Sequence, residues 1–167
     1  MKFLLFSIRK FIENYPIALF LSVLSLICAV LIMQYGFGLS PCKLCKIQRL
    51  PYYFILIIAC VNFALKRRFE LYYVCLGILA LFVTAAFGFY HAGIEYGVFE
   101  NIFNCSAGQD KFADGTALKE YLTNKISVPC DRPAFKLIFT LSGWNFIIAT
   151  IIGLLGIKRV LSKKIRD

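Results

Sequence analysis

Charge is what this sequence has little of. Only 17% of its 167 residues are Asp, Glu, Lys or Arg, while 60% are hydrophobic. A soluble domain carries roughly a quarter charged residues. The shortage is concentrated: residues 14–42, 50–65, 71–94 and 137–157 contain no Asp, Glu, Lys or Arg at all. Four helices with so little polar face exclude a soluble bundle. A helix of roughly 20 apolar residues crosses a bilayer core. Three runs reach that length, and the second is short enough to need Arg49 and Lys66 snorkelling at its ends. Histidine is scarcer still. His91 is alone, so any zinc site must lean on cysteines. There is no internal repeat and no low-complexity tract. The first apolar stretch is too long for a signal peptide and no small-x-small site follows it, so the first span is expected to be retained.

The net charge of +10 suggests nucleic acid until its distribution is considered. Basic residues gather at Lys2, Arg9 and Lys10, at Lys66, Arg67 and Arg68, and at Lys158, Arg159, Lys163, Lys164 and Arg166. These three segments are separated by even numbers of apolar runs. The positive-inside rule therefore puts all three, and both termini, in the cytoplasm. Glu95, Glu100, Asp110, Asp114, Glu120 and Asp131 fall on the other side. One orientation satisfies every segment. The expected fold is an all-α membrane protein, a four-transmembrane-helix bundle with a long second outer loop, forming a single domain over residues 1–167. The spans are expected at about 15–35, 47–65, 71–90 and 141–158, with outer loops at about 36–46 and 91–140. Within the long loop, residues 116–124 can form a short amphipathic helix lying on the membrane. Residues 135–141 can lie along the surface before the last span, with Trp144 marking the outer interface.

This topology sorts the seven cysteines. Cys28, Cys60 and Cys75 fall within spans, where cysteine is ordinarily a small apolar residue. The other four lie on the outer side as two pairs, Cys42/Cys45 and Cys105/Cys130. An even number on the oxidising side of a membrane reads as disulfide chemistry. Cys42-Lys43-Leu44-Cys45 stands at the head of the second span. Helix N–H groups, the positive end of the helix dipole, Lys43 and Lys46 all favour a thiolate there. Half of a zinc site and a purely structural disulfide remain open alternatives for this motif. Cys105 and Cys130 can form a loop staple, worth about 3–4 kcal/mol in the chain-entropy model, or an exchangeable disulfide presented to a soluble partner. Cys45 and Arg49 are four residues apart and share a helix face. Arg49 can stabilise anionic charge on that face or act as an interfacial anchor. His91 can donate a proton or be an interfacial polar residue.

Pro41-Cys42-Lys43-Leu44-Cys45 followed by Gln48-Arg49 resembles the disulfide bond formation protein B (DsbB) family. The four spans, the histidine at the outer end of the third span, and Val128-Pro129-Cys130 in a long second outer loop share that resemblance, which covers essentially the whole chain. It implies a protein-disulfide:quinone oxidoreductase of the bacterial inner membrane. Such an enzyme reoxidises a periplasmic thioredoxin-fold oxidase of the DsbA kind and passes the electrons to membrane quinone, ubiquinone or menaquinone. It further implies that Cys105 is the sulfur attacked by the partner, that Cys130 exchanges with Cys42, and that Cys45 is the thiolate meeting the quinone. Arg49 and His91 would lie beside the quinone head group. Some relatives serve dedicated substrates instead of the general oxidase. A thiol-based metal-binding membrane protein and an enzyme resembling vitamin K epoxide reductase are the competing readings.

Overall fold

The first helix, α1 (Tyr15–Leu31), carries Pro16 in its first turn, where the missing N–H costs nothing. Its outer end loosens into a π-helical turn, Ile32–Gly36. Gly38 then takes a left-handed backbone (φ 68°) and releases the chain into a two-residue strand, β1 (Leu39–Ser40). The computed structural model describes residues 10–102, 126–127 and 139–164 of the chain.

Helix α2 (Lys43–Ala64) begins directly after Cys42, several residues earlier than expected. Its Cys42 N-cap accepts a hydrogen bond from the Cys45 backbone N–H through sulfur, which satisfies an otherwise orphaned donor of the first turn. Pro51 lies inside α2 and disrupts the hydrogen-bond ladder of the turn before it. In that turn the Thr84 hydroxyl donates to the Gln48 carbonyl at 2.8 Å. A neighbouring side chain thus supports the backbone beside the proline. A tight turn with Lys66 and Arg67 in left-handed conformations (φ 52° and 62°) leads into α3 (Glu70–Glu95), and Arg67 pairs with Glu70 at 2.6 Å.

Helix α3 runs past residue 90, where the sequence suggested the span should stop. The polar residue that prompted that boundary, His91, is buried with a hydrogen-bond partner inside the bundle, so it does not end the helix. Ala92 and Ile94 continue the apolar pattern. Helix α4 (Leu141–Lys164) closes the bundle. Its basic C-terminal residues favour the negative end of the helix dipole.

All four helices are long and apolar enough to cross a membrane. The fold is an all-α, multi-pass membrane bundle. Large apolar side chains such as Leu21, Ile57, Leu79 and Leu154 are more than half exposed, one on each helix, as lipid contact requires. Inside, Leu19 and Val23 of α1, Ile55 and Ala59 of α2, Leu81 and Ala85 of α3, and Ala149 of α4 form the core. Two tyrosines tie the bundle together through backbone oxygens: Tyr15 donates to the Ile152 carbonyl at 3.0 Å and Tyr73 to the Pro16 carbonyl at 3.2 Å. Helix α3 is central and packs on both α2 and α4. At Gly88 it meets α4 so closely that a Cβ would lie 3.1 Å from the Phe146 nitrogen and 3.2 Å from the Ser142 oxygen, a small-residue crossing of the membrane type.

At the end of the bundle that carries Cys42, β1 pairs in parallel with β2 (Ile126–Ser127), Leu39 opposite Ile126 and Ser40 opposite Ser127. A backbone ladder thereby joins the α1–α2 connection to the α3–α4 connection. The short helix expected at 116–124 lies outside the described residues, as does most of the expected surface segment at 135–141.

Candidate functional site

The helix ends nearest Cys42 converge on a cavity of about 190 Å³. Its walls are Leu26, Ile27 and Val30 from α1 and Trp144 and Ile148 from α4. Cys42, Cys45, Arg49, His91 and Glu95 contribute the polar groups.

Cys42 and Cys45 fall three residues apart because the first turn of α2 wraps one sulfur over the other. Their Sγ atoms share a hydrogen bond at 2.7 Å. Two further groups are aimed at the Cys42 sulfur: the Cys45 backbone N–H at 3.1 Å and His91 Nε2 at 3.7 Å. Negative charge therefore settles on Cys42, and the Cys45 thiol acts as donor. The Cys45 hydrogen bond, assisted by His91 and opposed by burial, holds the Cys42 thiol well below the usual cysteine range. Lys43 and Lys46, expected from sequence to lower it, are exposed and are not among the groups that hydrogen-bond the sulfur. Leu44 and Ile94 pack beneath the pair and fix its position.

His91 is buried, its side chain only 3% exposed. Gln48 Nε2 lies 3.2 Å from its Nδ1 and donates to the Phe87 carbonyl at 3.0 Å. The Phe87 oxygen can only accept, so the Gln48 amide must present N–H groups, and Nδ1 is the acceptor. The ring proton is thereby directed to Nε2, which faces Cys42 and stands 3.9 Å from Glu95 Oε1. Cys42, Cys45 and His91 offer ligand atoms within 4.8 Å of one another, a spacing a metal ion accepts. A proton on Nε2 opposes that use, because a histidine ligand presents a bare nitrogen and donates from the other.

Arg49, one turn along α2 from Cys45, is half-buried and donates through Nη1 to Gln34 Oε1 at 2.6 Å. The π-helical turn of α1 carries Gln34 into reach. Tyr52 donates to Asn145 Oδ1 at 2.5 Å, and the Ser142 hydroxyl donates to Glu95 Oε2.

Of the residues singled out from sequence, the structure brings Cys42, Cys45, Arg49 and His91 together around one cavity. Cys105 and Cys130 lie outside the described residues. Cys28, Cys60 and Cys75 are exposed on the spans. Sequence reasoning passed over Gln34 and Ser142, and named Gln48 and Glu95 without giving either a role at the site. Glu95 was read as an acid of the outer loop, yet it is buried in the last turn of α3. The spacing His91-x-x-x-Glu95 was the available signal, since residues four apart share a helix face.

Fold and site together define a membrane thiol-redox protein whose dithiol caps a spanning helix. The family model described as disulfide bond formation protein DsbB matches residues 13–158, and the chain belongs to that family. It is a membrane disulfide-bond-forming oxidoreductase. No curated protein and no solved structure matches it.

Proposed function

We propose that this chain is a quinone-coupled thiol oxidase of the bacterial inner membrane, with both termini cytoplasmic. It reoxidises a periplasmic DsbA-like thioredoxin-fold oxidase by disulfide exchange and passes the electrons to ubiquinone or menaquinone. The observation that carries this reading is the Cys42/Cys45 pair at the mouth of an apolar cavity that also holds Arg49.

The cavity suits a quinone head group. A cavity of about 150 Å³ accommodates a benzene ring, so 190 Å³ lined by Leu26, Val30, Trp144 and Ile148 is large enough for one substituted ring. Arg49 and Cys45 would hold its polar edge. A bound quinone supplies a two-electron, two-proton sink. Such a sink is needed because the partner is itself strongly oxidising, at about −120 mV for DsbA, and thiol exchange only relays electrons.

The relay uses both cysteine pairs. A partner thiolate attacks Cys105 of a Cys105–Cys130 disulfide, and Cys130, released as thiolate, attacks Cys42 of the Cys42–Cys45 disulfide. The electron pair then resides on Cys45, where the Arg49 guanidinium, one turn away, offsets its charge. His91 donates to Cys42 whenever that sulfur is anionic. The β1–β2 ladder supports this order, because Ser40 is two residues before Cys42 and Ser127 three before Cys130.

The test is anaerobic mixing of the purified protein with reduced partner and quinone, followed by quinone absorbance. Stoichiometric loss of the quinone band with oxidation of the partner is expected. An unchanged band in the presence of an oxidisable partner overturns the reading.

A further inference from the structure

Glu95 is a carboxylate in an expensive place. Its side chain is 6% exposed, at the C-terminal end of α3, where the helix dipole is negative. Among the described residues its oxygens meet only the Ser142 hydroxyl and the His91 ring, and no lysine or arginine pairs with it. Arg49 is engaged by Gln34 instead. A buried ionisable group at membrane depth is costly and signals function, with its partner close by. The titratable groups facing Glu95 are His91 from its own helix and the Cys42/Cys45 pair from α2, with Arg49 one turn along α2. Helix α4 offers Ser142 and Asn145, and the α1 side of the cavity is apolar apart from Met33 sulfur. Glu95 and Cys45 line the same cavity. His91 cannot take the Cys45 proton at the nitrogen facing the site, because Nε2 already carries one.

We propose that Glu95 is the proton acceptor and donor of the dithiol centre. The inference rests on the thiol-oxidase reading above and adds the route of a proton to it. Once exchange has released Cys42 as the thiolate, the one proton of the reduced pair is held on Cys45; as the pair is oxidised that S–H bond breaks, an O–H bond forms on the Glu95 carboxylate, and the electron pair stays on sulfur. Those electrons leave for the quinone as the disulfide closes. Glu95 then gives up its proton into the cavity, supplying one of the two that quinone reduction consumes. The Ser142 hydrogen bond holds the carboxylate oriented toward the site. His91 Nε2–H, between the Cys42 sulfur and Glu95 Oε1, can donate to either anion.

The full-length, quinone-free protein is examined by infrared difference spectroscopy between its disulfide form and the form reduced with a soluble dithiol. With no quinone present to consume it, the proton taken from Cys45 stays on Glu95, so a protonated-carboxyl C=O band is expected in the disulfide form and not in the reduced form, shifted in Glu95→Asp and absent in Glu95→Gln. In a single turnover with quinone, Glu95→Gln is expected to slow by about 100-fold, the typical scale of general acid–base catalysis. Added formate should restore part of the rate, and Glu95→Asp should retain more of it. A purely structural role gives neither a redox-linked band nor rescue by formate. If the wild-type protein shows no such band, or if the band survives in Glu95→Gln, the proposal is wrong. Should Glu95→Gln not fold, the wild-type band and its shift in Glu95→Asp still decide. Normal quinone reduction without the band overturns this inference alone. A Glu95 band without quinone reduction leaves it standing and overturns the quinone reading.

Discussion

Arg49 donates through Nη1 to Gln34 Oε1 at 2.6 Å, which ties the π-helical turn of α1 to the first turns of α2. The bond aims a flexible guanidinium across the cavity mouth. Its removal frees the side chain without deleting the charge. A hydrogen bond to a charged group contributes about 1.5–3 kcal/mol, and Gln34 acts only by positioning. Gln34→Ala is therefore expected to express only part of that energy at the quinone, raising its KM about 3–10-fold with a smaller change in kcat. Arg49→Gln should raise it further. Steady-state kinetics over a quinone concentration series checks both, and an unchanged KM in Arg49→Gln would return that residue to an interfacial anchor.

The two sulfurs of the capping motif are not equivalent. Cys45→Ala is expected to abolish quinone reduction while a mixed disulfide between the partner and Cys105 still accumulates on non-reducing gels. A normal rate of quinone reduction in Cys45→Ala would break the proposed relay.

Ionisation of Cys42 gives a dependence on pH. The folded-state value lies below that of an unfolded thiol, so the thiolate persists into acid. At about pH 6.5 an ordinary thiol is only roughly 1% ionised, yet Cys42 in the reduced protein should still react with a small alkylating reagent. The Cys45 hydrogen bond is the largest cause, so Cys45→Ala should move the alkylation profile to higher pH by more than His91→Ala does. Mass-spectrometric counting of label at Cys42, with denatured protein as reference, reads the profile directly.

Close helix packing should govern the site from a distance. A Cβ at Gly88 would press on Asn145 Nδ2 at 3.1 Å and on the α4 backbone at Phe146 and Ser142. Backbone cannot swing aside as a side-chain tip can. Overpacking of this kind costs typically about 1–3 kcal/mol, and Gly88→Ala is expected to lower the melting temperature in detergent by several degrees. Because Ser142 and Asn145 hold Glu95 and Tyr52, turnover should fall as well. An unaltered melt would show that α3 and α4 can separate freely here.

The spans were legible because charge is excluded from a bilayer interior, and runs without it stand out in any sequence. The helix-capping motif was legible because three-residue spacing of cysteines has few uses. What escaped were single polar residues in apolar surroundings. Gln34 matters only because a π-helical turn changes which side of α1 it occupies, and no periodicity announces such a turn. Gln48 looked like a polar neighbour of Arg49, although its role comes from Phe87 and His91 on another helix. Glu95 was assigned to a loop because the span was ended at the first polar residue, His91, whose burial depends on Gln48. Lys43 and Lys46 were expected to act on Cys42 from their proximity in sequence, whereas the groups that hydrogen-bond its sulfur are Cys45 and His91. Residues that act across helices carry little local signature.

The two-residue ladder between Leu39–Ser40 and Ile126–Ser127 has a kinetic consequence. Cys130 follows Ser127 by three residues in sequence, and an extended chain spans at most about 3.3–3.6 Å per residue, so chain length alone limits how far exchange between the pairs, as proposed, would have to reach from the ladder. Short tethers give effective concentrations in the millimolar range. In the proposed relay, exchange between the two cysteine pairs would then be a first-order event, indifferent to how densely the protein populates the membrane. Only the encounters with the soluble partner and with the lipid-borne oxidant depend on abundance.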